Sequence, residues 1–147
     1  MTLNETEFFK GIDPEVMDKI TAIYSVEDCP RETVLFDKGE DAKFIFILKE
    51  GTVNLVIKNG GTFAIPLSNP GEVFGLSSLV EGGVYIASGV CATDSKVVRI
   101  ERDRLNEIFA QHPDVGLVLV KRLGAVLTEK LSRLYRDLFS CSWSEPL

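Results

Sequence analysis

Gly71-Glu72-Val73-Phe74-Gly75-Leu76-Ser77-Ser78-Leu79-Val80-Glu81-Gly82-Gly83-Val84-Tyr85-Ile86-Ala87-Ser88 is the stretch that decides the fold of this 147-residue chain. A glycine turn at Asn69-Pro70-Gly71 leads into it. Leu76-Ser77-Ser78-Leu79 then predicts a short helical run, and Glu81-Gly82-Gly83 a loop. A strand begins at Ala87-Ser88. Turn, short helix, loop and strand in so few residues form a compact cassette that exposes backbone and small side chains at its bend.

On either side the pattern is one of short apolar runs broken by turn residues. Thr33-Val34-Leu35-Phe36 is strand-like and is followed by Lys38-Gly39-Glu40-Asp41. Phe44-Ile45-Phe46-Ile47-Leu48 is continuously apolar and ends at Glu50-Gly51. Thr52-Val53-Asn54-Leu55-Val56-Ile57 alternates and stops at Asn59-Gly60-Gly61, a hairpin signal, before Phe63-Ala64-Ile65-Pro66-Leu67. Beyond the cassette, Ala87-Ser88-Gly89-Val90-Cys91-Ala92 and Lys96-Val97-Val98-Arg99-Ile100 are further strands. Many short strands at short intervals predict a mainly β protein with flanking helices, its strands closed into an antiparallel roll of double-stranded β-helix or jelly-roll type.

The ends of the chain are helical. Residues 5–24 read as helix, with Asp13-Pro14-Glu15 as a start signal and Val16, Ile20 and Ile23 at helical spacing. Arg102 to His112 predicts a second helix, broken by Pro113-Asp114, and a long helix follows from about Val115 to Phe139. On that helix Leu117, Val120, Leu127, Leu131, Leu134 and Leu138 fall at steps of three and four, with Gly124 in the missing place. Leu119, Leu123 and Val126 form a second stripe. One stripe suffices for a helix lying on its own domain, so two predict a core face and a partner face. One wide stripe on a deeply buried helix is the alternative.

With Phe74-Gly75, the closing Val98-Arg99-Ile100 and the ordered turn glycines Gly39, Gly51 and Gly71, the chain resembles the cyclic-nucleotide-binding domain family over residues 8–138. The resemblance implies one domain over residues 1–139, with a tail at 140–147. Within it lie an N-terminal helical lobe (1–24), a β-roll (25–101) and C-terminal helices (102–139). It also implies that the cassette is the family's phosphate-binding cassette. In the family, a glutamate after Phe-Gly holds the ribose 2'-hydroxyl and an arginine before the small-residue pair neutralises the cyclic phosphate. In this chain the first place holds Leu76. The second holds Ile86, or Tyr85 if the loop aligns one residue differently. The candidate ligand residues are Phe74, Gly75, Leu76, Ser77, Ser78, Leu79, Tyr85, Ile86, Ala87 and Ser88.

Losing two charged contacts, each worth roughly 1.5–3 kcal/mol, removes about two to four decades of cyclic-nucleotide affinity. Three readings follow: a sensor for a ligand that is more apolar or less charged, a vestigial pocket in a dimerisation or docking module, or a cyclic-nucleotide receptor using substitute contacts. The expected partners are a second copy through the long helix, a small molecule and a protein effector.

Composition removes several classes. A net charge of −6 without a dense Lys/Arg run argues against direct nucleic-acid binding. His112 is the only histidine, and it sits in Gln111-His112-Pro113 as a helix-end cap, so no catalytic triad or histidine-rich metal site is expected. No enzyme, cofactor or metal is expected. Cys29, Cys91 and Cys141 are odd in number and widely spaced, which predicts free thiols in a reducing cytoplasm. Met1 to Glu7 lacks a leader's positive start and apolar run, and no stretch is long enough for a membrane span. The eight residues after Phe139 are too few for the helix-turn-helix module that DNA-binding family members carry there.

Overall fold

The computed structural model describes residues 3–142. Eight strands run in the order β1 (Tyr24–Cys29), β2 (Val34–Phe36), β3 (Phe44–Glu50), β4 (Val53–Lys58), β5 (Thr62–Leu67), β6 (Val73–Phe74), β7 (Ser88–Cys91) and β8 (Ser95–Glu101). Helix α1 (Pro14–Ile23) precedes them, and α2 (Arg102–Gln111) and α3 (Pro113–Ser142) follow. The strands form two four-stranded antiparallel sheets, ordered β1-β8-β3-β6 and β2-β7-β4-β5. This is the expected antiparallel roll with flanking helices.

The first sheet is the middle of three layers. Ile45, Ile47, Val98 and Ile100 point from it into a core shared with α1, α2 and α3. Phe46, Leu48 and Val97 point the other way, into a core shared with the second sheet. A strand buried on both faces has no polar alternation, which is why Phe44 to Leu48 reads as one apolar run. In the second sheet β4 is buried at Val53 and half-buried from Asn54 to Ile57.

Leu119 and Leu123 of α3 are buried in the helix-side core, with Val126 packed against it. The other stripe faces outward. Leu117, Val120, Leu127, Leu131 and Leu138 are 44–60% exposed, Leu134 is half-buried, and a Cβ on Gly124 would meet nothing.

The N-terminal segment departs from the expected helix. The α-helix begins only at Pro14, where Asp13 Oδ1 accepts from the Glu15 amide at 3.0 Å. Before it the chain makes successive three-residue turns. The Thr6, Phe9 and Ile12 amides donate to the Leu3, Thr6 and Phe9 carbonyls at 3.2–3.3 Å. Leu3, Thr6, Phe9 and Ile12 are all buried, at a period of three rather than 3.6, and Phe8 is buried beside them. Gly11, at φ +75°, ends the run in a conformation that an α-helix does not continue through. The sequence reading also passed over β1, whose Ser25, Glu27 and Asp28 mask a strand that pairs only with β8.

A candidate ligand cleft at the cassette

The cassette leaves the first sheet through β6. Gly75 then adopts φ +71°, and a Cβ there would press on Phe46 Cδ2 at 3.0 Å and the Phe44 carbonyl at 3.2 Å. Glycine is therefore required both by backbone angle and by space. Leu76–Leu79 forms one 3-10 turn. The loop folds back onto it: the Gly83 amide donates to the Val80 carbonyl at 3.0 Å, and any Cβ on Gly83 would collide with the Ser77 carbonyl.

The returning chain is pinned to the β2–β3 connection. Asp41 and Val84 form a bridge, and the Tyr85 amide donates to the Glu40 carbonyl at 3.0 Å. The Gly39 amide donates to the Tyr85 carbonyl at 2.8 Å.

Between cassette, second sheet and α3 lies a cleft of about 470 Å³. Its lining includes Phe36, Leu55, Phe74, Leu76, Val80, Val84, Tyr85, Ile86, Ala87 and Leu127. Gly75, Ser77, the Glu81 to Gly83 loop and Lys130 complete it. Leu127 and Lys130 come from α3, so the long helix forms one wall. The ammonium of Lys130, the one cation among the described residues of the lining, lies 3.6 Å from the Glu72 carboxylate. Glu72 also accepts from the Asn69 amide at 3.4 Å.

The two candidates for the cationic place differ sharply. Ile86 is 73% exposed at the cleft mouth. Tyr85 is buried; its ring stacks on Phe36 at 4.0 Å, within a cluster that includes Phe46 and Phe74. Its hydroxyl donates to the Phe44 carbonyl at 2.7 Å and accepts from the Phe44 amide at 3.1 Å. Burial pushes the phenol's pKa up, which keeps it a neutral donor. Tyr85 therefore anchors the cassette to β3.

Tyr85→Phe is expected to cost about 1–3 kcal/mol in urea denaturation, because the Phe44 amide and carbonyl lose their partner. Ligand affinity of the folded fraction should change little. An unchanged denaturation midpoint with lost ligand affinity would instead make the hydroxyl a ligand contact.

Three expected site residues lie off the cleft lining. Ser78 is 1% exposed beneath the turn, and its Oγ has no hydrogen-bond partner. Leu79 packs against the helix-side core. Ser88 accepts the Lys38 amide at 2.9 Å. A 3-10 turn has three residues per revolution, so consecutive side chains cannot all face one cleft. Leu76 does line it, but is only 8% exposed and also belongs to the helix-side core. Sequence reasoning missed Phe36, Leu55, Val80, Val84 and Lys130. Of the two α3 residues on the lining, the sequence singles out Leu127, for its place on the helix stripe.

His112 caps α2, its ring Nε2 2.9 Å from Lys19 Nζ. Among the described residues no group of three His, Cys, Asp or Glu could hold a metal ion.

The chain is thus a three-layer antiparallel roll whose glycine-led cassette opens onto a cleft beside a long helix. The family model for the cyclic nucleotide-binding domain matches residues 26–112, and the chain belongs to that family. A CRP-like cAMP-activated global transcriptional regulator of Mycobacterium tuberculosis is 25% identical, over 88% of this chain and 57% of that protein. The human cyclic nucleotide-gated channel beta-3 is 28% identical, over 87% of this chain and 16% of the channel. The chain thus spans little more than half of the first relative and about a sixth of the second. A crystal structure of a cyclic nucleotide-binding domain from Methylobacillus flagellatus superposes with a TM-score of 0.81, covering 99% of this chain and 83% of that one. At 22% identity that likeness is one of fold.

Proposed function

We propose that this chain is a ligand-sensing regulatory module whose cleft takes a molecule less charged than a cyclic nucleotide, and that it works as a dimer through α3. The observation that carries the reading is the state of the cleft's charges. Its walls are mostly apolar, and its one cation, Lys130, already has Glu72 as counter-ion. A cyclic phosphate placed against Ile86 and Leu76 would be desolvated without a free positive partner. The dimer reading is supported by the exposed stripe of α3, since large contiguous apolar patches usually mark interfaces.

The second reading, a cyclic-nucleotide receptor that uses substitute contacts, is favoured by the family itself and by the names of the relatives. Calorimetric titration with cyclic AMP and cyclic GMP separates the two. No saturable binding is expected in the low micromolar range, and a Kd in that range would establish the receptor.

Binding rather than catalysis is the proposed activity, in keeping with relatives named as a regulator and a channel. A protein effector fits such a module, and the net charge of −6 fits one that does not touch nucleic acid directly. Among the described residues no helix is long and apolar enough to cross a membrane. A cytoplasmic setting is proposed from the free, buried thiols of Cys29 and Cys91, the former pushed by burial up to about 11.

A further inference from the structure

We infer that the cleft takes an uncharged, largely apolar molecule carrying one hydrogen-bond acceptor, the carbonyl of an amide, ester or lactone, and that Lys130 holds that acceptor. This rests on the ligand-sensing reading and narrows it to a chemical class. The cleft's volume of about 470 Å³ suits a small organic molecule. Its mouth is ringed by Val80, Val84, Ile86 and Leu127, which are 44–73% exposed. Apolar side chains of this size standing in water around a concavity favour an apolar body that covers them.

The polar end is defined by Lys130. An ammonium has three donors, and the Glu72 carboxylate at 3.6 Å engages one side of it. Lys130 lines both this cleft and the neighbouring groove that holds Glu72, so it stands between the two, and a donor not engaged by Glu72 is left for an acceptor on the cleft side. The charges decide which acceptor. The cleft lining itself carries one cation, Lys130, and one anion, Glu81, and the cation is already paired with Glu72 from the neighbouring groove. A carboxylate or phosphate would have to compete with Glu72 for one ammonium and would face the field of Glu81. A neutral carbonyl takes the donor and leaves the ion pair in place. A cationic head would meet Lys130 itself.

Calorimetry on the full chain with four probes tests this: octanamide, octanoate, octylammonium and headless toluene. Octanamide is expected to bind at least about tenfold more tightly than octanoate or octylammonium. Lys130→Met should weaken octanamide about tenfold and leave toluene unchanged. Glu72→Gln, which frees the ammonium while retaining it, should shift preference toward octanoate by about tenfold. Ile86→Lys, at an exposed position, should weaken octanamide, octylammonium and toluene.

Octanoate binding as tightly as octanamide to the wild type would overturn the head-group assignment and leave the ligand-sensing reading standing. So would octanamide affinity untouched by Lys130→Met in a folded variant. If no probe, toluene included, binds at millimolar concentration, the ligand-sensing reading itself fails. If probes bind the Val120→Asp/Leu131→Asp variant but not the wild type, the cleft is covered by a second copy and the small-molecule assignment is overturned.

Discussion

Ile86→Arg is expected to raise affinity for cyclic AMP about 10–100-fold over the wild type. A charge-assisted contact to the phosphate is worth roughly 1.5–3 kcal/mol, and each 1.4 kcal/mol is about tenfold. Ile86 stands 73% exposed at the cleft mouth, so the guanidinium can be added without disturbing the core. Leu76→Glu, the other half of a charge restoration, is a different kind of change. Leu76 is 8% exposed and packs into the helix-side core, so a carboxylate there loses apolar contact and is poorly solvated. A stability loss of about 3 kcal/mol or more is expected in urea denaturation. The double variant is therefore predicted to bind cyclic AMP no better than Ile86→Arg alone. Calorimetry alongside denaturation measures both. No gain in a folded Ile86→Arg variant would mean that the bend at Gly75 to Ser77 no longer fits a cyclic phosphate.

Val120→Asp with Leu131→Asp is expected to convert a dimer into a folded monomer. Both residues are exposed on the outward stripe of α3, 52% and 47%, and neither lines the cleft. Leu127 belongs to the same stripe but also forms a cleft wall, so its substitution would mix two effects. In a two-fold seam each change buries a charge without a partner in both chains, enough to raise the dimer dissociation constant by about two decades or more. Light scattering should report a monomer whose circular dichroism retains the β signal. A wild type that is monomeric at tens of micromolar would remove the partner role from this stripe.

Much of the roll was legible because turns leave strong local marks. Gly39, Gly51 and Gly71 all adopt φ of +91 to +93°, in the order that the resemblance requires. At Gly51 a Cβ would also press on the Asp94 carbonyl at 2.6 Å. The two faces of α3 were legible for a similar reason, since helical spacing alone sorts Leu119 and Leu123 from Val120 and Leu131. Strand β1 was not, because an edge strand paired only with β8 tolerates polar Ser25, Glu27 and Asp28 on its two faces, which hides the alternation.

The cassette's place in the chain was legible, but the direction of its side chains was not. Spacing along the chain could not show that the 3-10 turn takes Ser78 and Leu79 away from the cleft. Nor could it show that Leu76 is shared between cleft and core. The partnership of Tyr85 with Phe44, and of Lys130 with Glu72, joins residues distant in sequence and exists only once β3, the cassette and α3 are packed. The missing arginine was visible in the sequence. That the remaining cation is already neutralised became visible only in the structure.

The cleft is proposed to be a working pocket for a ligand other than a cyclic nucleotide. Electron density in the cleft, in crystals grown from freshly expressed protein without added nucleotide and again after soaking with cyclic AMP, tests it most directly. Density for a compact apolar molecule against Val80, Ile86 and Leu127 is expected in the first crystals, undisplaced in the second. Cyclic AMP in the soaked crystals, its phosphate seated at Gly75 to Ser77 and its charge met by Lys130 turned away from Glu72, would contradict it.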